Sequence, residues 1–187
     1  MLFRSHSEYG LNYPDPRLPA LGQRMMLPPH LAPDAAADLG AELLDAGAYE
    51  AHRIALGVPR GGLDFMYGDA FPHETDMDQL NGVDFAKGCY VGQEVVSRIE
   101  HRGSARKRVV PVSTAAFSPE PGMAVMAGDK QIGTMGSGAG PQGLAMLRLD
   151  YMSDAQVSGI PLVAGGVIIH PRKPQWARFA WPATAAN

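Results

Sequence analysis

Cysteine is almost missing from this chain: Cys89 is the only one among 187 residues. A single thiol excludes an internal disulfide and any metal or iron–sulfur centre built from several cysteines of the chain itself. No apolar run approaches the ~20 residues that a membrane-spanning helix needs. The opening Met1-Leu2-Phe3-Arg4-Ser5-His6 lacks the apolar core of a secretory signal. These absences predict a reducing, cytoplasmic setting. An excess of one charge is missing too. Lys and Arg number 16 against 19 Asp and Glu, a net charge of −3. Bulk electrostatics therefore do not predict nucleic-acid binding. His6, His30, His52, His73, His101 and His170 show no ligand spacing such as His-Glu-x-x-His, and no metal is assigned.

Apolar residues make up 45% of the chain and charged residues 19%, which suits a globular core. The 22 glycines and 16 prolines are spread between periodic segments. They predict many tight turns rather than disorder. Tyr13-Pro14-Asp15-Pro16-Arg17-Leu18-Pro19 reads as a loop, since its prolines cannot build a helix. Residues 21–27 read as a strand without a partner, so the chain is expected to lack an N-terminal portion of its domain. Asp34 is expected to cap a helix over 35–44 that Gly47 stops. A second helix is expected over 48–56, with Gly57 and Pro59 beyond it. Residues 59–75 read as a turn-rich linker, 76–83 as a short helix around Leu80, and 91–99 as a helix with Glu94 and Arg98 at i, i+4.

From Arg106 the pattern changes to short strands, at 109–112, 124–127, 131–135, 143–149, 162–164 and 167–169. Gly128-Asp129-Lys130 and Gly165-Gly166 supply turns. Such a run predicts a small barrel. The expected fold is α+β, with domains at 1–104 and 105–182 and a frayed tail at 183–187. Trp176 and Trp181 read as packing residues near the end of the barrel.

The chemistry concentrates in Lys87-Gly88-Cys89-Tyr90-Val91-Gly92-Gln93-Glu94. Cys89 reads either as a reactive or ligand-donating thiolate, favoured by Lys87 and a nearby helix start, or as a small buried hydrophobe. Gly88 and Gly92 allow a close backbone approach. Tyr90 offers a stacking face, and Gln93 and Glu94 could pair with the edge of a flat heterocycle; packing and an ion pair to Arg98 are the plainer alternatives. The basic run Arg98, His101, Arg102, Arg106, Lys107, Arg108 reads as a solvated linker first and an anion contact second.

This motif resembles that of the YgfZ family of folate-binding proteins, Lys-Gly-Cys-Tyr-x-Gly-Gln-Glu, at every fixed position. Its flanks, Asp15-Pro16-Arg17-Leu18-Pro19, Pro72-His73-Glu74 and Leu80-Asn81-Gly82-Val83-Asp84-Phe85, resemble the family as well. The resemblance implies a partial aminomethyltransferase-like folate-binding body followed by an antiparallel β-barrel. It implies a tetrahydrofolate-binding accessory factor that matures or repairs iron–sulfur enzymes, with an indirect effect on tRNA modification. Iron–sulfur assembly proteins or client enzymes are the implied partners. A tetrahydrofolate-dependent aminomethyltransferase is the alternative. By resemblance the reactive pair is Cys89 and Lys87. The implied folate contacts are Tyr49, Arg53, Glu74, Tyr90, Gly92, Gln93, Glu94 and Arg98. The family's further N-terminal region, one wall of its folate cavity, would precede residue 1.

Overall fold

The computed structural model describes residues 5–102 and 105–181. The tail expected to fray lies outside them, as does part of the expected domain boundary. The chain divides into two compact units, 1–52 and 53–187.

In the first unit β1 (Ser5–Ser7), β2 (Gly10–Pro14) and β3 (Gln23–Met26) form an antiparallel sheet in that order. The strand expected to lack a partner therefore has one: Leu11 to Pro14 pair with Met26 to Gln23. The proline-rich loop between β2 and β3 is closed by Asp15. Its backbone N–H donates to Gly22 O at 2.9 Å. Its buried carboxylate accepts from Arg17 Nε at 3.0 Å and Arg24 Nε at 2.6 Å. Helix α1 (Ala32–Asp38) is shorter than expected, with Asp34 in its first turn rather than at its cap. Gly40, at φ 62°, follows its C-terminus, and a left-handed glycine ends a helix without steric cost. Gly47 lies inside α2 (Ala46–Leu56) instead, because Asp45 Oδ1 accepts from Ala48 N–H at 3.0 Å and starts that helix early.

Helix α2 ends at Leu56. Gly57, at φ 76°, stops it. Its last carbonyls are taken up within the second unit: Trp176 Nε1 donates to Leu56 O at 2.7 Å, and an Arg172 N–H to Ala55 O at 2.8 Å. Residues 76–83 form turns rather than the expected helix, with Asp76 and Asn81 at φ 60° and 58°. Two left-handed residues break a helical repeat. Helix α3 (Gln93–Arg102) follows the signature.

The rest is a closed antiparallel barrel. Strands β4 (Lys107–Ser113), β5 (Ala124–Ala127), β6 (Lys130–Ala139), β7 (Gln142–Arg148), β8 (Leu162–Ala164) and β9 (Val167–Pro171) run in the order β4-β7-β6-β5-β8-β9. Closure of β9 onto β4 leaves no free edge in this sheet. Both expected hairpins are present, at Ala127↔Lys130 and Ala164↔Val167. Helix α4 (Leu149–Val157) was not foreseen. Its buried Leu149, Met152 and Ala155 join Val110, Val125, Ile132 and Leu147 in the barrel core.

Between Met135 and Gly138 the β6–β7 register shifts. There Ser137 donates to Asp64 Oδ1 through N–H at 2.7 Å and through Oγ at 2.5 Å. Gly136 permits this approach, since a Cβ would meet Asp64 Oδ1 at 2.5 Å. The "linker" at 59–75 is thus pinned to the barrel through a buried carboxylate.

Candidate functional site

Cys89 is a free, exposed thiol, which removes its reading as a buried hydrophobe. Residues 84–89 are all exposed. The Lys87 ammonium lies over the Tyr90 ring, 4.9 Å from its centroid. Gln93 Oε1 accepts from Tyr90 N–H at 3.2 Å, so the signature closes on the first turn of α3. Gly92 takes φ 86° with open space around it, a turn that only glycine makes freely. The expected approach of a ligand to its backbone is compatible with that space. Glu94 and Arg98 are exposed and form no ion pair with each other among the described residues.

Beneath α3 is a second, buried layer that sequence reasoning missed. Asp76 and Asp78 converge on Arg108, whose guanidinium is 4% exposed as a residue. Arg108 donates to Asp78 Oδ1 at 2.9 Å and Oδ2 at 2.8 Å, to Asp76 Oδ1 at 2.9 Å and to His73 O at 2.7 Å. It also stacks on Phe179 at 4.3 Å. The basic run is therefore not a solvated linker throughout; its last member is a core residue. Burial raises the Asp78 pKa, but its bonds from Arg108 and Gln79 outweigh that and hold it below the usual carboxylate range. Asp76 goes the other way. Burial pushes its pKa up to about 8, and the Arg108 charge, shared with Asp78, compensates only in part. Asp76 Oδ2 has no hydrogen-bond partner, which fits a protonated carboxyl.

His73, 2% exposed, joins this layer to α3: its Nε2 lies 3.0 Å from Glu100 Oε2. A cavity of about 360 Å³ opens here, lined by His73, Asp78, Phe85, Glu100, Arg108 and Phe179 among others. Ligand atoms of His73, Asp78 and Glu100 all lie within 4.8 Å of one another. Asp78 is nevertheless neutralised by a bidentate guanidinium, which a divalent cation would have to displace. The trio reads as an ion-pair network.

The expected folate contacts of the second unit do not all converge. Tyr49, in the first unit, accepts at its hydroxyl from Arg17 at 2.8 Å. Arg53 is 1% exposed and donates to Asp64 at 2.9 Å, Ser137 at 2.9 Å and Val58 O at 3.1 Å. Its guanidinium ties the 59–75 segment to the barrel through Asp64 and Ser137. Glu74 Oε2 accepts from Phe71 N–H at 3.0 Å beside a separate cavity. Tyr90, Gln93 and Glu94 lie at the head of α3, the first two half-buried and Glu94 exposed. The residues present thus offer a ring, an amide and a carboxylate near one end of a helix.

Residues 106–179 match the model of the CAF17 C-terminal beta-barrel domain. The chain is similar to the human mitochondrial iron-sulfur cluster assembly factor IBA57, 38% identical over 141 residues that cover 71% of the chain and 38% of the relative. A homologue from Mycosarcoma maydis is 46% identical over 99 residues, 53% of the chain and 24% of the relative. One from Chaetomium globosum is 32% identical over 189 residues, 84% and 42%. The chain therefore spans less than half the length of these relatives. Its fold is similar to part of that of glycine cleavage system aminomethyltransferase T from Bartonella henselae, with a TM-score of 0.64 at 15% identity over 95% of the chain and 52% of that structure. The expected cytoplasmic setting is corrected by these names: the relatives are mitochondrial proteins.

Proposed function

We propose that this chain, with its CAF17-type C-terminal barrel and its likeness to the IBA57 factors, serves iron–sulfur cluster assembly or repair, with Cys89 as the working group. The observation that carries this reading is the free, exposed thiol on a loop fixed to the head of α3. One thiol cannot hold a cluster alone, so the partner's thiols or a small thiol must supply the other ligands. Cys89 acts as a shared ligand, or as a nucleophile toward one sulfur of a partner's disulfide, whose other sulfur leaves as a thiolate. Lys87, engaged with Tyr90, stiffens the loop that presents it. Any effect on tRNA thiolation is then indirect, through the iron–sulfur enzymes that perform it.

Tetrahydrofolate is the second part of the reading. Tyr90, Gln93 and Glu94 support it from the head of α3, within a domain taken to span residues 1–104. Arg53 supports it less directly, since Asp64 and Ser137 already accept from its guanidinium.

The test is complementation. A strain lacking its own copy of the protein receives the unmutated protein or a Cys89→Ala variant, and the activity of its iron–sulfur enzymes is measured. Equal rescue by both would sink the role of the thiol. Calorimetric titration with tetrahydrofolate tests the second part, and heat unchanged by Tyr90→Ala and Glu94→Ala removes these residues from the reading. Release of formaldehyde from an aminomethyl donor would replace the accessory role with one-carbon transfer.

A further inference from the structure

The cavity of about 360 Å³ beside α3 carries opposite charges that do not meet. Asp78 and Arg108 offset each other in their bidentate pair. That leaves one further carboxylate on the lining, Glu100, and one further guanidinium, Arg178. Glu100 Oε2 lies 3.0 Å from His73 Nε2, and its Oε1 has no donor among the described residues. The Arg178 side chain has no acidic partner among them. Glu100 and Arg178 thus line one cavity without pairing, and both charges stay available to a ligand that carries both signs.

The frame behind these two charges is fixed. Arg178 N–H donates to Gln79 Oε1 at 2.9 Å, and Gln79 Nε2 donates to Asp78 Oδ2 at 2.7 Å, which ties the Arg178 backbone to the buried network. The Phe179 ring stacks on Arg108 at 4.3 Å. The half-exposed Phe85 ring lies 6.0 Å from that of His73. With Ile99 these rings supply apolar walls. The volume stands at the small end of ligand pockets, which run from roughly 300 to 1,000 Å³, and so suits a molecule of amino-acid size. We propose that this cavity binds a free α-amino acid with an apolar side chain. The carboxylate of the ligand meets Arg178 through paired N–H groups, its ammonium donates to Glu100, and its side chain lies against Phe85, Phe179 and Ile99. Such a site discriminates against a plain anion or a plain amine, because either would leave one protein charge without a partner. Cys89 does not line the cavity, so the site does not depend on the role given to that thiol.

The test titrates the 187-residue chain by calorimetry with three probes of one shape: L-leucine, isocaproate, which lacks the ammonium, and isoamylamine, which lacks the carboxylate. The expected result is saturable binding of leucine that weakens with salt. Each of the other two should bind at least about tenfold more weakly, the loss of one charge-assisted hydrogen bond. Arg178→Ala should weaken leucine about tenfold and leave isoamylamine unchanged, since Arg178 is exposed and its loss leaves the fold intact. Glu100→Gln, which keeps the shape of the His73 contact, should weaken leucine similarly and leave isocaproate unchanged. No saturable binding of leucine overturns the assignment. So does isocaproate or isoamylamine binding as tightly as leucine, since the ligand would then not be a zwitterion, and so does leucine binding indifferent to both substitutions.

Discussion

Replacing Arg108 by methionine should cost the second unit about 4 kcal/mol, and the reason is what it leaves behind. The guanidinium makes four hydrogen bonds, two to Asp78, one to Asp76 and one to His73 O. Asp76 would tolerate the loss, since burial already favours its protonated form. Asp78 would not: its carboxylate is buried, and Arg108 is its principal counter-charge. Breaking a buried pair by removing one partner costs roughly 3–5 kcal/mol, and methionine replaces only the apolar stem. At roughly 2–4 °C per kcal/mol for a domain of this size, Tm should fall by about 10 °C. Urea unfolding followed by tryptophan fluorescence is the assay, because Trp176 and Trp181 both belong to this unit. The double variant Asp78→Asn, Arg108→Met should recover at least about 1 kcal/mol, as coupled residues do. A loss below about 1 kcal/mol in the single variant, or no recovery in the double, would refute the network as the keystone of this unit.

Asp76 gives a pH signature. Its folded pKa of about 8 lies above the ordinary 3.8, so its stabilising contribution is full below about pH 4 and is lost as pH rises toward 8. Asp76→Asn should flatten that fall in denaturation curves taken across the window, and an unchanged slope would count against a protonated Asp76. Asp15 has the opposite sign. Burial raises its pKa, but Arg17 and Arg24 outweigh that and hold it below the ordinary carboxylate range. The first unit should therefore loosen as pH drops below about 4, seen as faster amide exchange in β2 and β3. Trp176→Phe removes the N–H that caps Leu56 O and should cost about 1 kcal/mol in the urea assay. Cys89→Ser should change stability by less than about 0.5 kcal/mol, because the thiol is exposed; a larger loss would mean that it packs.

The barrel was legible because each of its signals is local. Alternating apolar residues and glycine turns at 128 and 165–166 are written into adjacent positions, and the hairpins formed where they pointed. Helix α3 was legible for the same reason. The elements that escaped depend on partners distant in sequence. No spacing rule links Asp76 and Asp78 to Arg108, which is 32 and 30 residues away. The one available hint was acidic residues alternating with apolar ones just before Leu80, which reads equally well as a solvated helix face. Asp64 to Ser137 spans 73 residues and needs the bulge in β6 as well. Arg53 shows the same dependence: at i, i+4 from Tyr49 it reads as half of a ligand pair, and only the fold reveals the carboxylate that it also meets.

These long-range pairs bear on the site without touching a ligand. Among its described residues α3 buries only Val96 fully, so apolar packing alone holds it weakly. Its polar attachment runs from Glu100 to His73, whose carbonyl is in turn held by Arg108. The Cys89 loop closes on the other end of the same helix through Gln93. The buried arginine is thus connected through two hydrogen bonds to the helix that presents the thiol. Glu100→Gln keeps the shape of that attachment and removes its charge, whereas Glu100→Ala removes the attachment. If His73 anchors α3, amide exchange across 93–99 should quicken in the alanine variant and less so in the glutamine one, with the barrel amides unaffected in both. Equal exchange in all three proteins would leave Val96 and Ile99 as the anchors, and the signature loop would then be positioned independently of the buried network.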